Sequence, residues 1–139
     1  MSALSILLVE DNPGDVYLIG EALRRQGLDF ELLVAEDGAR ALRELEKVRQ
    51  GQAKAPDLIL LDLNVPKKNG LEVLRHIRAD PACARTPVAI LTSSDYPREK
   101  VEALDLGASC FIRKPTDLDD YMKVGATLKE LFASELGAR

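Results

Sequence analysis

The sequence predicts an α/β fold, a five-stranded parallel sheet covered by helices on both faces. Three observations carry this. Short apolar runs recur along the chain, each too brief to be a helix and each closed by turn or polar residues. Between them lie stretches with apolar residues at helical spacing. The two patterns alternate strictly from one end to the other, which implies right-handed crossovers and a sheet buried on both sides.

The elements follow in order. Leu4 to Val9 is the first strand, ending in Glu10-Asp11-Asn12-Pro13-Gly14-Asp15. Asn12 is placed to cap a helix, with Pro13 at its first position and Asp15 two residues on. Val16, Ile19, Gly20 and Leu23 repeat at i, i+3, i+4 and i+7, and Gly27 closes the helix. Phe30 to Ala35 is the second strand. The next helix starts at Gly38, carries Ala41, Leu42, Leu45 and Val48, and gives way to the polar connection 51–56. Asp57-Leu-Ile-Leu-Leu-Asp62 holds the third strand, whose four apolar residues suit burial on both faces. Pro66 stops it, and a helix spans Asn69 to Ala79 until Asp80-Pro81 breaks it. Pro87 to Leu91 is the fourth strand, followed by Thr92-Ser93-Ser94. A short helix from Pro97 to Leu106 stops at Gly107. Ser109 to Ile112 is the fifth strand, ending in Arg113-Lys114-Pro115. The last helix runs from Leu118 to Leu136 with Tyr121, Val124, Leu128, Leu131 and Phe132.

At 139 residues a single domain over 1–139 is expected, without an appended output domain. The formal charge of −4 disfavours direct nucleic-acid binding. The early run Ile6–Val9 is too short for a signal peptide or a membrane span, so a cytoplasmic protein is expected. Cys83, in a loop, and Cys110, in a buried strand, lack CxxC spacing. They argue for a reducing compartment and against a zinc site.

The expected architecture is a three-layer, flavodoxin-like (βα)5 sandwich with strand order 2-1-3-4-5. That order gathers the chemistry at the carboxyl edge of the sheet. Strand 1 delivers Glu10 and Asp11, strand 3 Asp62, strand 4 Thr92 and strand 5 Lys114. Carboxylates a few ångströms apart repel by ~1 kcal/mol per pair in water and ~4 kcal/mol at an effective dielectric near 20. A divalent cation relieves this, and hard oxygen ligands without His or Cys point to Mg2+. Acids beside a lysine and a hydroxyl outline a phosphoryl-transfer site with a carboxylate nucleophile.

On these residues (Glu10-Asp11, Asp62 in Leu-Asp-Leu-Asn-Val-Pro, Gly70, Thr92 and Lys114-Pro115) the chain resembles the receiver domain of two-component response regulators, over residues 4 to about 132. The resemblance implies that Asp62 accepts a phosphoryl group from a sensor histidine kinase or a phosphotransfer protein. It implies Mg2+ ligation by Asp11, Asp62 and the main-chain carbonyl of Asn64, with Glu10 acting through a metal-bound water. Thr92 and Lys114 would meet the phosphoryl oxygens, and the peptide bond before Pro115 would be cis. Phe111 stands where the family's switch aromatic is often tyrosine, so any switching there works through packing. The signal would pass by repacking of the helix 4, strand 5, helix 5 face to a protein effector, with homodimerisation through that face a further expectation. The protein would then be a phosphoacceptor rather than an enzyme in the ordinary sense. Val-Glu-Asp-Asn-Pro-Gly-Asp near the start resembles stand-alone regulators, including those paired with bacteriophytochromes.

Other readings compete. A haloacid-dehalogenase-like phosphatase also uses an aspartate nucleophile, but its second aspartate would fall at Asn64, which cannot shuttle a proton. A flavin carrier on the same fold would place phosphate where Glu10 and Asp11 repel it. A receiver fold that is never phosphorylated, acting only as an interaction module, is the third. His76 reads as a surface or half-buried structural residue rather than a phosphoryl donor. Lys67-Lys68 reads as a solvated turn, and Ser93 and Ser94 stand where access to the phosphoryl group would be tuned. Asp117, Asp119 and Asp120 match the positive end of the last helix.

Overall fold

The computed structural model describes residues 3–137 apart from 68, 94 and 95, with side chains through residue 133. Lys68 and Ser94 therefore lie outside the described residues. Ten elements alternate: β1 (Leu4–Val9), α1 (Pro13–Arg25), β2 (Phe30–Ala35), α2 (Gly38–Arg49), β3 (Leu58–Leu61), α3 (Gly70–Ala79), β4 (Val88–Thr92), α4 (Pro97–Asp105), β5 (Cys110–Arg113) and α5 (Leu118–Gly137). The strands form one sheet in the order β2-β1-β3-β4-β5, and every pairing is parallel. The α/β sandwich and its strand order are those expected from the sequence.

The period-two alternation of strands divides the core. Leu7, Val9, Ile59, Leu61, Val88 and Ile90 point to the face covered by α2, α3 and α4. Ile6, Leu8, Leu58, Leu60, Ala89 and Leu91 point to the face covered by α1 and α5. β3 and β4 are buried along their whole length, which explains why they read as unbroken apolar runs. β4 and β5 each begin one residue later than the apolar pattern suggests. Cys110 is only half-buried, because β5 is an edge strand, whereas the loop residue Cys83 is buried.

Capping follows the local sequence. Asn12 Oδ1 accepts from the N–H groups of Gly14 and Asp15, at 2.8 and 3.2 Å, with Pro13 opening α1. Asn69 caps α3 through Glu72 N–H at 3.0 Å instead of starting the helix. Asp117 accepts from Asp120 N–H at 2.8 Å at the start of α5. Two glycines permit close approaches. A Cβ on Gly70 would lie 2.5 Å from Leu63 Cα, and one on Gly125 would lie 2.3 Å from the Ala22 carbonyl oxygen. Gly70 thus lets α3 sit against the loop after β3, and Gly125 lets α5 sit against α1.

One expectation is corrected. The Lys114–Pro115 peptide is trans rather than cis. The trans form is the intrinsically preferred one by roughly 0.5–1 kcal/mol. From it Lys114 N–H already donates to Thr92 O at 2.7 Å, and its side chain reaches the carboxyl edge of the sheet.

Candidate functional site

Each candidate side chain is set by the backbone ladder of the strand it follows. Glu10 N–H donates to Ala35 O at 3.0 Å, extending the β1–β2 pairing by one residue. Asp62 N–H donates to Val9 O at 3.0 Å, which holds Asp62 beside the end of β1. Lys114 N–H donates to Thr92 O, fixing the end of β5 against β4. Glu10, Asp62, Thr92 and Lys114 are thus delivered to one edge by neighbouring strands.

The side chains converge. Lys114 Nζ lies 2.5 Å from Glu10 Oε1, 2.9 Å from Asp62 Oδ2 and 2.9 Å from Asp15 Oδ2. Carboxylate oxygens of Glu10, Asp11 and Asp62 all lie within 4.8 Å of one another. Glu10 and Asp62 are buried and Asp11 is exposed, so the cluster opens to solvent on one side. Asp62 Oδ1 accepts from Asn64 N–H at 2.9 Å, and Glu10 Oε2 accepts from Asn12 N–H at 3.1 Å. Thr92, fully buried, accepts at Oγ1 from the Asn64 side-chain amide at 3.0 Å.

Charge is unbalanced here. Among the described residues, the Lys114 ammonium meets three carboxylates (Glu10, Asp15 and Asp62), and Asp11 adds a fourth to the cluster. Burial pushes the Glu10 carboxyl up to about 7, although the Lys114 hydrogen bond opposes it. Burial acts to lower the Lys114 pKa, but hydrogen bonds to Glu10, Asp62 and Asp15 outweigh it and raise that pKa above its ordinary value. The lysine stays charged and neutralises part of the cluster. The donor set is all oxygen, it carries excess negative charge, and its open side admits water. Those properties suit Mg2+ or Mn2+, which favour oxygen ligands and retain waters.

The structure brings together Glu10, Asp11, Asp62, Thr92 and Lys114 as the sequence suggests. Asn64 joins them, but through its main-chain N–H and its side-chain amide. Phe111 is half-buried and packs against the core on the α2–α4 face. His76 is exposed on α3, and Ser93 is exposed after β4. Lys67 is exposed, with φ at 73° and its Nζ 3.6 Å from Asp37 Oδ2, as befits a turn. Two residues of the site escape sequence reasoning. Asp15 reads as first-turn helix charge and Tyr121 as a core position, yet Tyr121 Oη donates to Asp15 Oδ1 at 3.0 Å. The acidic character of Asp15 is the only local signal, and the pairing spans most of the chain.

The response regulator receiver domain profile matches residues 6–124. The chain belongs to this family. Response regulator Rcp1 of Synechocystis sp. is 39% identical over 122 residues, covering 86% of this chain and 82% of that protein. Transcriptional regulatory protein TrcR of Mycobacterium tuberculosis is 35% identical over 87% of this receiver chain but only 43% of its own length. The chain thus spans most of Rcp1 and less than half of TrcR. Among solved structures, the phosphorylated cyanobacterial phytochrome response regulator RcpA superposes with a TM-score of 0.86 at 37% identity, covering 96% of each chain. The Mn2+-bound form of response regulator Rcp1 gives 0.82 at 36% identity, covering 91% of each chain. No helix among the described residues of this receiver is long and apolar enough to cross a membrane.

Proposed function

We propose that this receiver is a phosphoacceptor response regulator whose Asp62 takes a phosphoryl group in a divalent-metal-dependent reaction. The observation that carries the reading is the contact of Lys114 Nζ with Asp62 Oδ2 at 2.9 Å, inside a cluster that also brings Glu10 and Asp11 within 4.8 Å. One Asp62 oxygen attacks phosphorus. The bond from phosphorus to the donor's histidine nitrogen breaks, and that nitrogen leaves with the electron pair and is reprotonated. The product is an acyl phosphate on Asp62.

Asp11, Asp62 and the main-chain carbonyl of Asn64 would hold Mg2+ directly, with Glu10 acting through a water. The metal would neutralise phosphoryl charge. Lys114 pairs with a phosphoryl oxygen, and the Thr92 hydroxyl donates to another. These gains bias the ends of β4 and β5, where the two residues are joined by the Lys114 N–H to Thr92 O bond. The neighbouring α4–β5–α5 face then repacks, with Phe111 responding through packing. Tyr96, Val101 and Leu104 expose apolar surface on and beside α4, which supports a protein effector or a second copy as the listener. The likeness to a phytochrome response regulator supports a phytochrome-type histidine kinase as the donor. Such a kinase would meet the chain in the cytoplasm.

Intact-mass measurement after incubation with acetyl phosphate and Mg2+ tests this. One added phosphoryl group is expected, absent in Asp62→Asn and in EDTA. A wild-type protein that takes no group and binds no beryllofluoride would overturn the reading and leave an unphosphorylated interaction module.

A further inference from the structure

An ammonium group has three N–H donors. In Lys114 all three face carboxylates, those of Glu10, Asp15 and Asp62. Asp15 differs from the other two. It lies outside the Glu10–Asp11–Asp62 cluster. Its side chain is 22% exposed, against 1% for Glu10 and 6% for Asp62. Its second oxygen is held by the Tyr121 hydroxyl at 3.0 Å. Tyr121 is itself anchored, being 2% exposed and packed with Ile6, Leu8, Ile19 and Val124. Its helix, α5, is locked to the Asp15 helix, α1, at the Gly125–Ala22 contact.

A phosphoryl group on Asp62 brings strong acceptor oxygens to Lys114. The ammonium has no fourth proton to offer, so an existing contact must yield. Glu10 is 1% exposed, so water cannot take the place of the ammonium if that contact is released. The Asp62 contact passes to its own phosphoryl group, whose greater charge and several acceptor oxygens draw a second donor from a neighbour. Asp15 is the one that water can reach and solvate on release.

We propose that Asp15 is a positioning residue that competes with the incoming phosphoryl group for Lys114, that Tyr121 holds it in that competition, and that phosphorylation of Asp62 displaces it. The inference rests on the phosphoacceptor reading above. It gives the state of Asp62 a second route outward, through the Tyr121 hydroxyl to the α1–α5 pair.

The test uses the full chain with Mg2+ and trifluoroberyllate, a phosphoryl analogue, titrated calorimetrically into wild type, Asp15→Asn, Tyr121→Phe and the double variant. Asp15→Asn keeps the shape and an acceptor for Tyr121 but removes the competing charge. It is expected to tighten binding threefold or more. Tyr121→Phe unties the competitor and tightens binding by less, and it adds nothing in the Asp15→Asn background. A purely structural tyrosine would act equally in both backgrounds. In wild type carrying 13C-labelled tyrosine, the buried Tyr121 ring resonance, assigned by its absence from Tyr121→Phe, is expected to move on saturation. Unchanged or weaker binding by Asp15→Asn, additive effects of the two variants, or a stationary Tyr121 resonance would each overturn the proposal. A wild type that binds no analogue and takes no phosphoryl group overturns the phosphoacceptor reading itself, and this proposal with it.

Discussion

The side-chain amide of Asn64 donates to Thr92 Oγ1 at 3.0 Å, tying the loop after β3 to the last residue of β4. The bond joins the acceptor loop to the hydroxyl proposed to meet the phosphoryl group. Its loss in Asn64→Ala should cost about 0.5–1.5 kcal/mol, the usual net worth of one hydrogen bond. A urea-unfolding cycle with Thr92→Val checks it. The double variant should be more stable than the sum of the two single losses predicts, because both remove the same bond.

Gly70 has no room for a side chain. A Cβ there would meet the Leu63 Cα and the Asp62 carbonyl oxygen, at 2.5 and 2.8 Å. Both are backbone atoms and cannot swing away. Gly70→Ala is therefore expected to destabilise by roughly 1–3 kcal/mol, as overpacking does. It should also lower the yield of the Asp62 adduct with acetyl phosphate, since the displaced backbone is that of the acceptor. Unchanged stability with unchanged adduct yield would show that α3 can slide instead.

Arg78 is a clamp far from the acidic cluster in sequence. Its guanidinium donates to the carbonyl oxygens of Thr86, Gly107 and Ala84 at 2.7, 2.9 and 3.1 Å, joining the approach to β4 with the end of α4. Arg78→Ala should cost about 1.5–3 kcal/mol, the range for hydrogen bonds to charged groups. Arg78→Lys should recover only part of this, because a single ammonium cannot span the planar fork. Thermal melts of the three proteins report it.

The metal-free protein should lose stability as pH rises from about 4.5 to about 7. Burial raises the Glu10 carboxyl to about 7 from its ordinary 4.5. Within that window the folded state holds a proton that the unfolded state has released, so rising pH favours unfolding. Urea midpoints in EDTA across this range should fall, and Glu10→Gln should flatten that part of the slope. Added Mg2+ should offset the loss at neutral pH by favouring the ionised carboxylate.

Much of this was readable in the chain. The strands announced themselves because a doubly covered sheet demands apolar runs, and the site residues because each stands within two residues of the end of such a run. Glu10, Asp11, Asp62, Thr92 and Lys114 needed only strand order to be brought together. The bond from Tyr121 to Asp15 could not be read, since it depends on how two helices stack over one face. Tyr121 carries the apolar spacing of a core residue, and its hydroxyl leaves no mark on that pattern. The reach of Arg78 was hidden for the same reason, as its partners are main-chain carbonyls that any residue supplies. The trans Lys114–Pro115 bond departs from the resemblance, and no feature of the local sequence distinguishes the two isomers.

The contact of Gly125 with Ala22 bears on how the chain comes into being. α1 emerges from the ribosome well before α5, yet they cover the same face of the sheet. Until α5 is synthesised, Ile6, Leu8, Ile19 and Leu23 lack their cover, and the nascent chain carries an open apolar surface. Closure of that face joins two helices far apart in sequence across a long loop, a step governed by chain entropy rather than by local propensity. The Asp15–Tyr121 bond forms only at that closure, so the acidic site acquires its full set of partners only once α5 has been made and has docked.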